Sequence, residues 1–277
     1  MKIPTNNLSV FFNLIFPLFI CLYPLTGIPQ DIRPSPSLQG KNIIYVYGGM
    51  EGHSPAESVD LFVPKLRAEG ASVKVFDTLS VYSDEKLMAE TDLIIQIWTL
   101  GQITEEQFKG LEKAVMNGTG LSGWHGGLGD AFRDNLKYQF MVGGQFVSHP
   151  GGMINHSIKI VNKNDPITNG IDDFDLKKTE QYYMLIDPNI KVLAISEFLK
   201  ESYEKPKKKE NKITGSSMPV IWKKNYGKGR IFYSSIGHHL TDFDVPEVMT
   251  MQMRGFRWAS EGKYMKKETT ITPIYKK

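Results

Sequence analysis

A doubly wound α/β fold around a mostly parallel sheet is the class this sequence predicts, and three observations carry it. Asn42 to Tyr47 and Leu93 to Trp98 are nearly continuous β-branched and aromatic runs, the pattern of strands buried on both faces. Stretches with helical spacing of apolar residues, each opened by a cap signal, alternate with such runs. Gly123-Trp124-His125-Gly126-Gly127 has the form of a strand-to-helix elbow, where glycines relieve crowding and the central side chain is lifted above the end of a sheet. A hydrolase would carry Ser or Cys at that centre; this chain carries His125.

Taken in order, the first strand ends at Gly48-Gly49 and leads into a loop with Glu51 and His53. Ser54-Pro55-Ala56-Glu57 predicts a helix start, with Ser54 as N-cap, Pro55 in the first turn and Glu57 closing a capping box. Val59, Phe62, Val63 and Leu66 share one face before Gly70, and Pro64 within them predicts a kink or a shorter helix. Ser72 to Phe76 alternates like a strand. Thr104-Glu105-Glu106-Gln107 repeats the capping box ahead of Phe108, Leu111 and Val115, and Gly120 to Trp124 then delivers His125. Right-handed crossovers turn this order into a parallel sheet, whose ligands bind beyond the C-terminal strand ends. The His53 loop and the His125 elbow both belong to that edge.

The second half is strand-rich: Ser157 to Val161, Gln181 to Leu185, Val192 to Ser196, Pro219 to Lys224 and Arg230 to Ile236, the last two joined by a hairpin turn at Asn225 to Gly229. A final helix from Pro246 to Ser260 places Met249, Met253 and Phe256 on one side, and the tail 263–277 reads as basic and peripheral.

The 277 residues, 41% hydrophobic and 23% charged, suffice for one large core, here a single domain over 42–262. The net charge of +3 is spread along the chain, which predicts no nucleic-acid partner. Lys205 to Lys212, broken by Pro206 and Glu210, reads as a solvated loop. Lys2 precedes an apolar stretch, Leu8 to Leu22, interrupted by Asn13 and Pro17: a signal segment (1–27) for export rather than a membrane span. Cys21, the single cysteine, offers a lipid anchor as the alternative to cleavage, and 28–41 reads as a flexible leader. Either way the domain keeps no free thiol, which excludes disulfides and thiol catalysis. Ser122 has no final glycine for G-x-S-x-G, and neither a phosphate loop nor G-x-G-x-x-G follows a strand, so no nucleotide cofactor is expected.

Segments spread along the chain resemble the ThuA-like (trehalose utilisation) family: Gly123 to Gly127, Gly143-Gly144-Gln145-Phe146 with His149-Pro150, Asp165-Pro166-Ile167-Thr168, Glu180-Gln181-Tyr182-Tyr183, Pro219-Val220-Ile221-Trp222, Tyr226 to Arg230, Ser235 to His238 and Arg257-Trp258-Ala259. The resemblance runs from about Asn42 to Glu261. It implies a flavodoxin-like, class I glutamine amidotransferase-like fold and a part in the metabolism of trehalose or related oxidised disaccharides. It also implies that His stands where amidotransferases carry Cys, so glutaminase chemistry is not expected.

Candidate site residues follow. His125 has three readings: a general base, a metal ligand, or an imidazole that holds the flanking loops. Glu180, before two tyrosines, and His149, after a glycine pair, join it as candidate catalytic groups. Trp124, Gly126, Gly127, Tyr182, His238 and His53 are candidates for binding substrate, with Trp98 and Tyr183 as further stacking faces. His125, His149, Glu180 and His238 form a possible ligand set for Zn²⁺, Mn²⁺ or Fe²⁺, although no local H-e-x-x-H-type spacing supports it. His239 reads as structural, and His156 as a surface or pairing residue. The expected function is an enzyme acting on a sugar or keto-sugar. The alternatives are a carbohydrate-binding protein without turnover, and a structural or partner-binding role using the Lys205 to Lys212 loop.

Overall fold

The apolar runs pair into one nine-stranded sheet in the computed structural model, which describes Met1, 37–199 and 213–265. Strand β1 (Asn42–Gly49) lies between β2 (Ser72–Phe76) and β3 (Leu93–Thr99), parallel to both. β3 continues to β4 (Gly120–Trp124), and β4 to β11 (Gly229–Ser234), again in parallel. The order β2-β1-β3-β4-β11 is the flavodoxin-like arrangement, whose direction of winding switches between β1 and β3. Beyond β11 the sheet turns antiparallel through β10 (Ser217–Tyr226), β9 (Lys191–Glu197), β6 (Met153–Ile160) and β7 (Phe174–Glu180). A separate ribbon pairs β5 (Gly144–Ser148) with β8 (Tyr183–Ile186).

Side chains alternate across β1, so Ile43 and Tyr45 enter one core and Ile44 and Val46 the other. The first core includes Phe62 and Leu66 of α1 (Pro55–Ala68) and Phe256 and Trp258 of α6 (Pro246–Ala259). The second includes Phe108 and Leu111 of α3 (Glu105–Met116) and Tyr138 of α5 (Leu136–Val142), with Met88 of the short α2 (Glu85–Glu90).

Several local expectations are corrected. α1 runs unbroken through Pro64, which is exposed, as is Asp60, whose carbonyl loses its helical partner and faces water instead. Ser54 makes no side-chain cap. Its φ of 49° closes the turn Glu51–His53, with its N–H donating to the Glu51 carbonyl at 2.8 Å. The Thr104–Gln107 box forms in both directions, at 3.0 and 3.2 Å. Gln181 lies outside any strand: β7 stops at Glu180, and the Gln181 amide donates to Ser196 Oγ at 2.8 Å, turning the chain inward.

The end of the presumed flexible leader is packed, not free. Leu38 is fully buried, Gly40 N–H donates to the Gly70 carbonyl at 2.9 Å, and Lys41 pairs with Glu261 at 2.7 Å. The start of the tail is packed too, since Tyr264 donates to Asp92 Oδ1 at 2.8 Å. The segment 2–27, expected to be a signal, with its Cys21, the Lys205 to Lys212 stretch and the tail from 266 lie outside the described residues. Among the described residues no helix is long and apolar enough to cross a membrane.

Candidate functional site

Four chain segments reach the C-terminal edge of the parallel strands, and each brings one polar side chain. The turn after β1 carries His53. His125 opens the short helix α4 (His125–Gly129) at the end of β4. His238 follows β11, and Glu180 is the last residue of β7. Left-handed backbone recurs at these places: Ser54 (φ 49°) beside His53, His125 itself (φ 48°), Lys178 (φ 49°) two residues before Glu180, and Gly237 (φ 115°) beside His238. For a non-glycine residue this conformation costs roughly 1–3 kcal/mol, and such strain concentrates at functional sites. The elbow at His125 is therefore real in its backbone, and sheet topology sets it beside the switch point.

Glycine serves close approach here. A Cβ on Gly126 would lie 2.8 Å from the His53 ring and from Thr99 Cγ2, so only glycine lets the elbow meet the β1 loop.

His125 is 1% exposed. Its Nδ1 donates to the Ser235 carbonyl at 2.9 Å, which fixes Nε2 as the acceptor in the neutral ring. Around Nε2 stand the Tyr182 hydroxyl at 2.7 Å, Glu180 Oε2 at 3.2 Å and His238 Nδ1 at 3.2 Å. The Tyr182 ring stacks on the imidazole with centroids 4.1 Å apart. His238 Nδ1 is also 3.2 Å from Glu180 Oε2. His53 places Nδ1 2.9 Å from Thr99 Oγ1 and its ring 4.8 Å from that of His125. One ligand atom from each of His53, His125, Glu180 and His238 can be chosen so that all lie within 4.8 Å of one another.

Burial sets the protonation states. It pushes the His125 pKa down and keeps that ring neutral; burial, with the imidazoles of His125 and His238, pushes His53 down to about 4. Burial alone would raise the Glu180 carboxyl, but the His125 and His238 imidazoles packed against it at 3.2 Å more than offset it and hold the group below the usual carboxylate range. Burial also drives the Tyr182 phenol well above its ordinary value, so it stays a donor.

The remaining predicted residues fall around or outside this cluster. His149 is not one of the four: 43% exposed, it touches the other carboxylate oxygen, Glu180 Oε1, at 3.3 Å. Trp124 does not face the cluster. As the last residue of β4 it is 1% exposed, its side chain in the core against Phe62 and Phe243. Gly127 packs against Ile97, where a Cβ would come within 2.8 Å of its Cα. Trp98 covers Gly48, and Tyr183 stands 6.1 Å from Phe198. His156 is not a surface residue but 7% exposed, since its strand position faces inward from β6. His239 is exposed, its backbone N–H donating to Asp242 Oδ2. Ser122 Oγ donates to the Phe232 carbonyl at 3.0 Å and is fully buried.

The supporting residues Thr99, Thr179 and Asp242 carry no signal in the sequence. Asp242 Oδ2 accepts from Thr179 Oγ1 at 2.8 Å and from the His239 N–H at 3.3 Å, tying the segment before Glu180 to the one after His238. Phe146 completes the rim, its ring 4.3 Å from Tyr182 and 6.1 Å from His149.

Fold and cluster define an α/β protein with a histidine–carboxylate site at the switch point. The ThuA family, described as trehalose utilisation, matches residues 42–259, and the chain belongs to it. Among solved structures, a ThuA-like protein from Bacteroides uniformis superposes with a TM-score of 0.66 at 19% identity, over 84% of this chain and 95% of that one. A ThuA-like protein from Parabacteroides merdae gives 0.64 at 16% identity, over 84% and 94%. The cytoplasmic protein STM1381 of Salmonella typhimurium gives 0.51 at 14% identity, over 82% and 100%. At these identities the likeness is one of fold. No curated protein matches the sequence.

Proposed function

We propose that this ThuA family member is an enzyme of carbohydrate utilisation that processes a sugar or keto-sugar at the cluster of His125, Glu180 and His238. One observation carries the reading: His125 Nε2, Glu180 Oε2 and His238 Nδ1 meet pairwise at 3.2 Å beyond the C-terminal ends of the parallel strands. Ligands of this architecture bind at that edge.

The residues divide the work by environment. Glu180 holds an ionised carboxylate in a site from which water is largely excluded, so its interaction with a sugar hydroxyl is strengthened. Tyr182 and the Ser235 carbonyl lock the plane and tautomer of His125. His149, partly exposed and touching Glu180 Oε1, is placed to exchange protons between the carboxylate and solvent. Phe146 and Tyr182 offer apolar rim surface to a sugar ring. Together these groups suit proton abstraction beside a carbonyl, or hydrolysis of a glycosidic linkage. Export belongs to the same proposal and rests on Lys2 and the apolar stretch Leu8 to Leu22.

Trehalose and an oxidised, keto form of it are the probes, with product followed by NMR and binding by calorimetry. Wild type is expected to convert at least one of them, and His125→Ala to lose about 100-fold or more in turnover while still binding. Binding by wild type with no conversion of either sugar would instead make the protein a carbohydrate-binding module.

A further inference from the structure

We infer that His53, His125, Glu180 and His238 are the ligands of a divalent transition metal. This deepens the reading of the cluster as the reaction centre and rests on it.

The geometry is that of a coordination shell. The three edges joining His125 Nε2, Glu180 Oε2 and His238 Nδ1 are each 3.2 Å. A tetrahedral site with bonds of about 2.0–2.1 Å to nitrogen and oxygen has edges of about 3.3 Å. Three side chains from three separate segments thus outline one face of such a tetrahedron, and His53 supplies a fourth ligand atom within 4.8 Å.

Hydrogen bonds at the back hold two of the rings. His125 spends Nδ1–H on the Ser235 carbonyl and His53 spends Nδ1 on Thr99 Oγ1, which leaves Nε2 of each for the cluster. Outer-sphere bonds of this kind orient metal-binding imidazoles and fix their tautomer. The His125 Nε2 lone pair then faces a carboxylate oxygen 3.2 Å away, an acceptor against an acceptor, and a cation between them removes that repulsion. The Tyr182 hydroxyl, 2.7 Å from the same nitrogen, is the donor that a bound cation would turn aside.

Three imidazoles with one carboxylate suit Zn²⁺, Fe²⁺ or Mn²⁺ better than Mg²⁺ or Ca²⁺, which favour all-oxygen shells. Bound there, such a cation supplies Lewis-acid polarisation of a sugar oxygen. His149 lies outside the shell, since it reaches only the far oxygen, Glu180 Oε1. The set of ligands differs in that one member from the one the sequence suggests.

Elemental analysis of the purified full chain, followed by calorimetric titration of chelator-stripped protein with Zn²⁺, Mn²⁺ and Mg²⁺, tests the inference. About one equivalent of a transition metal is expected, with Mg²⁺ binding far more weakly. His53→Ala and Glu180→Gln should each weaken Zn²⁺ binding by more than about 100-fold, and Thr99→Val by about 10–100-fold with an unchanged melting temperature. His149→Ala should stay within a few-fold of wild type. Folded wild type that takes up neither Zn²⁺ nor Mn²⁺ would overturn the inference, as would a loss in His149→Ala equal to that in His53→Ala. Sugar turnover by metal-free protein would remove the metal and leave the proposed enzyme standing. Stoichiometric metal with no sugar processed would do the reverse.

Discussion

Glu180 joins three imidazoles: Oε2 faces His125 and His238, and Oε1 faces His149. Nothing local in the sequence marks it, since a carboxylate before two tyrosines is as often solvated; the ThuA resemblance singled it out. His156 shows the opposite limit. Read as a surface or pairing residue, it is buried, and burial pushes its pKa down to about 4, with Asp242 opposing. The unfolded value is about 6.5, so between pH 6.5 and 4 the unfolded chain binds the extra proton. Stability is therefore lost as pH falls through that window and is flat above it. The contribution of His156 amounts to about 2 kcal/mol between pH 7 and pH 5. Urea midpoints at those two pH values should show a smaller drop for His156→Gln than for wild type by about that amount; an equal drop would contradict the buried neutral ring.

At the scale of elements, cap signals and apolar periodicity were local enough to locate α1, α3, α6 and the parallel strands. What failed was conformation that depends on neighbours: Ser54 gives up its cap to close the turn that presents His53, and Gln181 leaves the strand to bond Ser196. Likewise Trp124 offers a stacking face when read as an aromatic residue alone, whereas strand alternation sends it into the core. The clasp at Asp242 lies wholly beyond sequence reading, because it joins residues far apart in the chain. Asp242→Ala should destabilise the fold by about 1–3 kcal/mol and, by loosening Glu180 against His238, lower kcat/KM about tenfold or more. Asp242→Asn should recover part of both. Lost stability with unchanged kcat/KM would show that the clasp supports only the fold.

For the whole molecule, the strand order β2-β1-β3-β4-β11 sets the loops after β1, β4 and β11 at one edge, and the antiparallel half returns Glu180 to it. That the sheet edge was the place to look followed from the alternation of strands and helices alone. The same alternation put the His53 loop and the His125 elbow there, but not their contact, which depends on how β1, β3 and β4 pair, nor the place of His149 outside the cluster. The most direct test of the account is the turnover of Glu180→Gln, which preserves shape and removes the charge between the imidazoles. The account predicts a fold and melting temperature close to wild type, retained sugar binding and a loss of about 100-fold or more in turnover. Wild-type turnover in that variant would contradict it and move the chemistry away from the switch point.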